Sequence, residues 1–257
     1  MTRRKLDQPR GWAWTVAVGI LQPTLIAVTR RTWMNGDEIP AAGGCVIALN
    51  HVSHIDPLVA GHFLYGHGRL ARYLAKAGLY DNRALGFFMR AAGQIPVKRE
   101  SHDANGAYAA AVQAVRAGEC VVVYPEGTIT RDPELWPMTG KTGAARIGLE
   151  TGCPVIPVAH WGAQDILAPY GRKPHLFPRK KVTVKAGDPV ELGDLVDLPT
   201  DAENARVATA RIMEAITVLL EDIRGEKAPT ERFDPRKSGV TLTGNPHKDK
   251  KKGKEIR

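Results

Sequence analysis

The stretch ECVVVYPEG, residues 119–127, carries the strongest strand signal of the chain: a run of β-branched residues that stops at Pro125 and Gly127. A short unbroken apolar run bounded by turn residues reads as a buried strand. Upstream, CVIALN (45–50) has the same character, and RYLAKA (72–77) and QIPVK (94–98) read as strands or strand ends. Downstream come PVIPVAHW (154–161) and KKVTVKAGDPV (180–190). Between them lie helical patterns at 57–66, 84–92, 104–117 and 140–151, and a long amphipathic one at 201–223. The helix at 104–117 is closed by Gly118 and the one at 140–151 by Gly152, each the expected helix stop. Such alternation predicts an α/β fold, with a central mostly parallel or mixed sheet flanked by helices.

The ends of the chain differ from this middle. Residues 11–29, GWAWTVAVGILQPTLIAVT, contain no charge and are flanked by Arg10, Arg30 and Arg31. That length lies at the lower edge for spanning a bilayer. Pro23 would break or kink a helix there, which predicts two short apolar helices, a hairpin dipping into one leaflet. Trp12, Trp14 and Trp33 sit where interfacial aromatics belong. The competing reading is a helix buried against the domain. From about Glu226 onward the chain is rich in Lys, Gly, Pro and polar residues and reads as disordered. The expected division is a membrane-associating helical segment (1–33), a folded domain (34–225) and a basic tail (226–257).

The 257 residues suit one large domain with appendages. With 43% hydrophobic and 25% charged residues, the composition excludes a fully disordered chain, a collagen-like fibre and a polytopic membrane protein. Cys45, Cys120 and Cys153 are too few and too odd in number for a disulfide framework, and none forms a CxxC pair, so they read as reduced thiols of a cytosolic protein. The net charge of +9 is divided unevenly: +3 in residues 1–10, +5 in residues 231–257 and only +1 between. Basic ends fit an anionic surface or act as solubilising tails. The near-neutral middle, without a recognition helix or an aromatic platform, argues against nucleic acid.

Chemistry concentrates in Asn50-His51-Val52-Ser53-His54-Ile55-Asp56-Pro57, between a strand and a helix. Asp56 followed by Pro57 reads as a helix N-cap and first helical residue. On a straight helix, five positions at about 100° each would leave His51 and Asp56 roughly 140° apart. On a strand-to-helix turn the imidazole can instead reach the carboxylate. Asp56 then fixes the tautomer and leaves the other ring nitrogen of His51 as a general base. His54, two residues from Asp56, suits this pairing less well. There is no GxSxG elbow, so direct attack by a substrate hydroxyl fits better than an acyl-enzyme. Tyr124-Pro125-Glu126-Gly127-Thr128 follows the strongest strand, as a ligand-holding turn does. Arg99, in GQIPVKR (93–99), could clamp a phosphate.

Taken together, these blocks resemble the glycerolipid acyltransferase family, specifically the 1-acyl-sn-glycerol-3-phosphate (lysophosphatidic acid) acyltransferases. The family's N-H-x-x-x-x-D block is matched by Asn50, His51 and Asp56; G-x-I-x-V-x-R by Gly93, Ile95, Val97 and Arg99; [F/Y]-P-E-G-T by Tyr124 to Thr128; and the apolar V-I-P-V strand by Val155 to Val158. Order and spacing agree over about residues 35–190.

The resemblance implies roles. His51 would deprotonate the acceptor hydroxyl of lysophosphatidic acid or a related lysolipid, and Asp56 would orient His51. The acyl group would come from acyl-CoA or acyl carrier protein as co-substrate, with no cofactor. Arg99, Glu126, Gly127 and Thr128 would hold the glycerol phosphate. Lys76 aligns with a family lysine that could meet the phosphate or the oxyanion. Many members continue the third block with Arg-Ser. Here Ile129-Thr130-Arg131 follows, so the charge falls to Arg131 or to Lys141. The implied location is the cytoplasmic face of the cell membrane, against an anionic lipid surface. Glycerol 3-phosphate remains an alternative acceptor. A non-catalytic lipid-binding protein and a metal-dependent hydrolase using His51, His54 and Asp56 are the rival classes. The hydrolase would leave the other three blocks unexplained.

Overall fold

Runs of Val, Ile, Leu and Cys become strands here because their branched or compact side chains fill a pleated surface covered on both sides. The computed structural model describes residues 4–97, 104–196 and 201–241. In chain order the elements are α1 (Trp12–Val28), β1 (Thr29–Met34), β2 (Cys45–Leu49), α2 (Asp56–Gly66), β3 (Ala71–Lys76), α3 (Arg83–Ala91) and β4 (Ile95–Val97). They continue with α4 (Ala104–Arg116), β5 (Cys120–Val123), α5 (Gly143–Thr151), β6 (Val155–Trp161), α6 (Ala163–Ile166), β7 (Lys180–Ala186), α7 (Gly193–Val196) and α8 (Ala202–Arg224).

The seven strands form one sheet in the order β1-β7-β6-β2-β5-β3-β4, the central mixed sheet that the sequence predicts, with β1 added at its edge. Every pairing is parallel except that of β6 with β7. Every residue of β2 and β5 is buried, and their alternation divides the core in two. Val46, Ala48, Val121 and Val123 pack with residues of α4, α5 and α8. Cys45, Ile47, Leu49 and Val122 pack on the other face with Val59, Phe63 and Leu64 of α2. Each large apolar side chain so buried contributes about 1.5–3 kcal/mol.

β2 lies between β5 and β6, so the chain leaves it toward one side of the sheet and later returns to the other. Beyond the carboxyl ends of such diverging strands a crevice opens that loops cannot fill. The loops carrying His51, Lys76 and Tyr124–Thr128 all leave at these ends.

Three expectations change. The apolar stretch is a single helix, not a hairpin of two short ones, with Pro23 inside it. Pro23 removes the N–H that would bond the Gly19 carbonyl, but Gly19 is exposed and water can satisfy that oxygen. Buried Ala13, Leu25 and Val28, and the Trp14 Nε1–H bond to the Ala92 carbonyl (3.1 Å), hold the helix despite the loss. No described helix is long and apolar enough to cross a membrane.

The expected boundary at residue 33 falls inside β1, which pairs with β7 from Thr29↔Lys180 to Met34↔Lys185. Disorder from residue 226 is also too early. Through Thr241 the chain is placed, with Phe233 accepting from Thr139 N–H and Arg232 bonded to Glu214 and Thr217. Residues 242–257 lie outside the described part.

A continuous helix through Pro23 predicts that Pro23→Ala will stabilise the protein by about 1–3 kcal/mol in chemical denaturation, by restoring the bond to Gly19. A turn at Pro23 would give no gain.

Candidate active site

The segment leaving β2 closes on itself through one carboxylate oxygen. Oδ2 of Asp56 accepts from the amides of Val52 (2.6 Å) and Ser53 (2.7 Å) and lies 2.8 Å from His51 Nδ1. Asp56 is fully buried at the first turn of α2, where the helix N-terminus favours negative charge. The expected N-cap is thereby corrected. Ile55 occupies that position and no side chain caps the helix, while the Asp56 carboxylate turns back to the amides before it. The reason is position: Asp56 is the first residue of α2 itself, one place after the N-cap, and its Oδ2 is turned toward the two loop amides and the imidazole.

With Nδ1 committed to Asp56, His51 presents Nε2 to the cavity that its ring lines. The ring is stacked on Tyr124, with centroids 4.3 Å apart and planes 26° apart. His54 is exposed, lines the same cavity and sets its ring edge-on to Tyr170, making no bond to Asp56. Burial, and then the nearby His51, lower the pKa of His54.

Behind Asp56 lies His160, fully buried, with Nε2 3.6 Å from Asp56 Oδ2 and 3.0 Å from the Asn50 carbonyl. The Asn50 amide donates to the His160 carbonyl (3.0 Å) and accepts from its N–H (2.9 Å). This exchange continues the β2–β6 ladder one step beyond the strand and locks the start of the His51 loop. Burial lowers the pKa of His160, which favours the neutral imidazole. Its signal in the sequence was a polar residue near the end of an otherwise apolar strand.

Glu126 does not face the substrate space. It is 1% exposed, and its two oxygens accept from the backbone N–H of His51 (2.8 Å) and of Met138 (3.1 Å). Thr130 N–H adds a bond to the His51 carbonyl (2.8 Å), so the His51 loop and the Tyr124–Thr128 loop are stapled backbone to side chain. Substrate binding by Glu126 is therefore replaced by a clamping role.

Gly127 and Thr128 do line the cavity. Gly127 has φ +71°, a conformation that side-chain-bearing residues rarely adopt, and a Cβ there would also push aside the flexible end of Lys141, 2.9 Å away at Cε. Thr128 Oγ1 is 3.3 Å from Tyr170 Oη, which donates to the Ile129 carbonyl at 2.9 Å. Arg131 is buried, its guanidinium 4.5 Å from the Tyr170 ring centroid, and it does not line the cavity, whereas Lys141 and Lys76 do and are both exposed. Of the two candidates for the displaced charge, Lys141 is the one at the cavity. Arg99 lies outside the described residues. Sequence reading missed Tyr170, which belongs to a loop 42 positions beyond Thr128 and takes a positive φ of 58°.

The cavity has a volume of about 1120 Å³. Trp14, Val18, Leu21 and Leu25 of α1, Leu58 of α2 and Phe88 and Met89 of α3 give its lining an apolar share. Lys76, Lys141, Arg146 and Arg172 supply cations elsewhere on its lining. No group of three or more possible metal ligands occurs among the described residues, His51, His54 and Asp56 included.

Burial pushes the Glu126 carboxyl up to about 8, against the opposing bonds from Met138, His51 and Thr130. The folded state then keeps a proton that the unfolded chain, with its ordinary value of 4.5, has released. Stability should fall as pH rises from about 4.5 to about 8, at up to about 1.4 kcal/mol per pH unit, and level off outside that window. Glu126→Gln, close in shape to the protonated acid, should lose this slope. Urea unfolding of both proteins at pH 5, 6.5 and 8 measures it, and parallel pH dependences would refute the buried proton.

Comparison with known proteins places these features. A family model described as Acyltransferase matches residues 30–161, just over half of the chain. A 1-acyl-sn-glycerol-3-phosphate acyltransferase of Bacillus subtilis (strain 168) is 28% identical over 176 residues, 68% of this chain and 81% of that protein. The chloroplastic 1-acyl-sn-glycerol-3-phosphate acyltransferase BAT2 of Brassica napus is 30% identical over 124 residues, 48% of this chain and 34% of its own. The crystal structure of the 1-acyl-sn-glycerophosphate acyltransferase PlsC from Thermotoga maritima aligns with a TM-score of 0.60 at 20% identity, over 84% of each chain, which shows a shared fold. The matched family model spans both the His51–Asp56 loop and the Tyr124–Thr128 loop, and the chain belongs to the Acyltransferase family.

Proposed function

We propose that this enzyme transfers a fatty acyl group from a thioester donor, acyl-CoA or acyl carrier protein, to the free hydroxyl of 1-acyl-sn-glycerol 3-phosphate, giving phosphatidic acid. The observation that carries this reading is the His51–Asp56 pair on the lining of a cavity with apolar walls and cationic patches. An acyl chain and a phosphate need those two environments side by side. The similar proteins named 1-acyl-sn-glycerol-3-phosphate acyltransferase support the acceptor.

In this mechanism His51 Nε2 takes the proton of the acceptor hydroxyl as its oxygen attacks the thioester carbonyl. Asp56 stabilises the imidazolium that forms. The tetrahedral intermediate collapses, the C–S bond breaks, and the imidazolium returns the proton to the departing thiolate. A new ester and a free thiol result, and His51 is regenerated neutral. Lys141 and Lys76 attract the acceptor phosphate. The enzyme works at the cytoplasmic face of the cell membrane, with the exposed apolar side of α1 toward the lipid: Trp12 is 53% exposed and Ile20 61%.

Thiol release from palmitoyl-CoA by detergent-dispersed protein tests the reaction. Release should require lysophosphatidic acid and should not occur with glycerol 3-phosphate. His51→Ala should lower kcat by about 10²–10⁴-fold with an unchanged circular dichroism spectrum. Asp56→Asn should lose a similar factor, because the amide cannot hold the imidazolium. Normal turnover in His51→Ala would refute the mechanism, and release without any acceptor would refute the transfer.

Lys141→Ala should raise the KM for lysophosphatidic acid at least about tenfold, the scale of one charge-assisted hydrogen bond. It should leave a monoacylglycerol acceptor, which has no phosphate, unaffected. An equal loss for both acceptors would remove Lys141 from the phosphate site.

A further inference from the structure

Between Asp165 and Val182 the chain holds five cations (Arg172, Lys173, Arg179, Lys180 and Lys181) and no acidic residue. This imbalance stands out in a middle section whose net charge is only +1. Residues 172–179 are all exposed, in a loop without helix or strand between α6 and β7. At its tip are Leu176 and Phe177, the latter 72% exposed, the most exposed large apolar side chain among the described residues. An aromatic ring left in water at the centre of a cationic loop gains nothing for the fold, because it buries little surface.

The loop is nevertheless held in place. His175 N–H donates to the Ile166 carbonyl at 2.7 Å and Gly171 N–H to Ala168 at 2.8 Å. Arg179 donates to the carbonyls of Ile26 (2.8 Å) and Thr29 (2.6 Å), the orphan acceptors at the carboxyl end of α1. Arg30, also exposed, pairs in register with Lys181 across β1 and β7, which widens the cationic surface. At its other end Tyr170, Gly171 and Arg172 line the catalytic cavity. One loop thus joins the exposed apolar helix α1 to the cavity.

We infer that the 172–181 loop is a second membrane-contacting element, with Leu176 and Phe177 inserted among acyl chains and Lys173, Lys180 and Lys181 on anionic lipid headgroups. The occupant is a lipid leaflet because the surface pairs a small apolar wedge with clustered cations, the two features that bind an interface jointly and only weakly alone. The inference rests on the reading of α1 as lipid-facing and extends it to a segment distant in sequence. It gives the cavity mouth a fixed position at the interface, where a lysolipid can enter without crossing water.

Sedimentation with extruded vesicles of phosphatidylcholine, with and without 30% phosphatidylglycerol as the probe of surface charge (about one anionic lipid in three), tests the inference. The wild-type chain should bind the anionic vesicles, and binding should weaken with salt. Leu176→Ser/Phe177→Ser should weaken binding at least about tenfold. Lys173→Gln/Lys180→Gln/Lys181→Gln should weaken it roughly a hundredfold on anionic vesicles, at about fivefold per cation, and little on neutral ones. Both variants should keep wild-type turnover with detergent-dispersed substrates, which separates a binding defect from misfolding. Equal vesicle binding by wild type and both variants would overturn the loop's role and leave α1 as the attachment. Absence of wild-type binding to any vesicle would overturn both the loop and the lipid-facing helix, while the detergent assay would still report on acyl transfer.

Discussion

One buried oxygen, Oδ2 of Asp56, organises the site. It receives the amides of Val52 and Ser53 and the Nδ1 side of His51 within 2.8 Å, and His160 stands 3.6 Å away. A carboxylate taken out of water costs several kcal/mol unless donors replace the lost hydration. Hydrogen bonds to a charged group return about 1.5–3 kcal/mol each, and the N-terminus of α2 adds a favourable dipole. These donors converge on Oδ2 only in this loop conformation. That conformation places the His51 ring with Nδ1 inward and its other nitrogen outward. Folding energy and the geometry of the candidate site are thus set by the same contacts. Removing the charge would free the loop as well as the imidazole.

A second carboxyl group performs the complementary task without a charge. Glu126 joins the amides of His51 and Met138, so the loops after β2 and β5 are tied together. Two ionised carboxylates so near in a dry interior would repel, and burial resolves this by holding the Glu126 proton up to about pH 8. The pair divides its work by environment. Asp56 gathers its donors on one oxygen and serves the imidazole, while Glu126 spreads its two oxygens over two loops and serves the backbone. A glutamate at a motif position can thus be indispensable to a site without touching a substrate.

Much of the fold could be read from the sequence because its cues are local. The apolar runs at Cys45–Leu49, Cys120–Val123 and Val155–Trp161 stop where turn residues begin, and parallel strands buried on both faces need no finer pattern. The His51–Asp56 pairing was also legible, since five residues and a turn decide it. What escaped depends on distance along the chain. Strand β1 is the polar TRRTWM, recognisable only once β7 offers it an edge. Continuity of α1 through Pro23 depends on tertiary contacts such as Trp14 with Ala92, which override a local breaker. The fate of Glu126 and Arg131 turned on which way each side chain points, and the period of the sequence carries no such information just after a strand. Tyr170 was invisible for the same reason, for its contact with Thr128 exists only in the folded chain.

The mixed apolar and cationic lining of the cavity at His51 suits the proposed reaction better than an open cleft would. In the proposed reaction the general base, His51, is stacked on an aromatic ring, and a water molecule beside it would compete with the acceptor hydroxyl for the thioester. Apolar side chains of α1, α2 and α3 in the lining give water few partners, whereas an acyl chain lying there gains about 0.8 kcal/mol for each buried CH₂. Cations elsewhere on the lining favour an anionic headgroup over a neutral competitor. An amphiphile with both parts is the ligand that matches this mixed lining, which His51 shares. On the proposed mechanism, selection of the acceptor over water follows from filling the cavity.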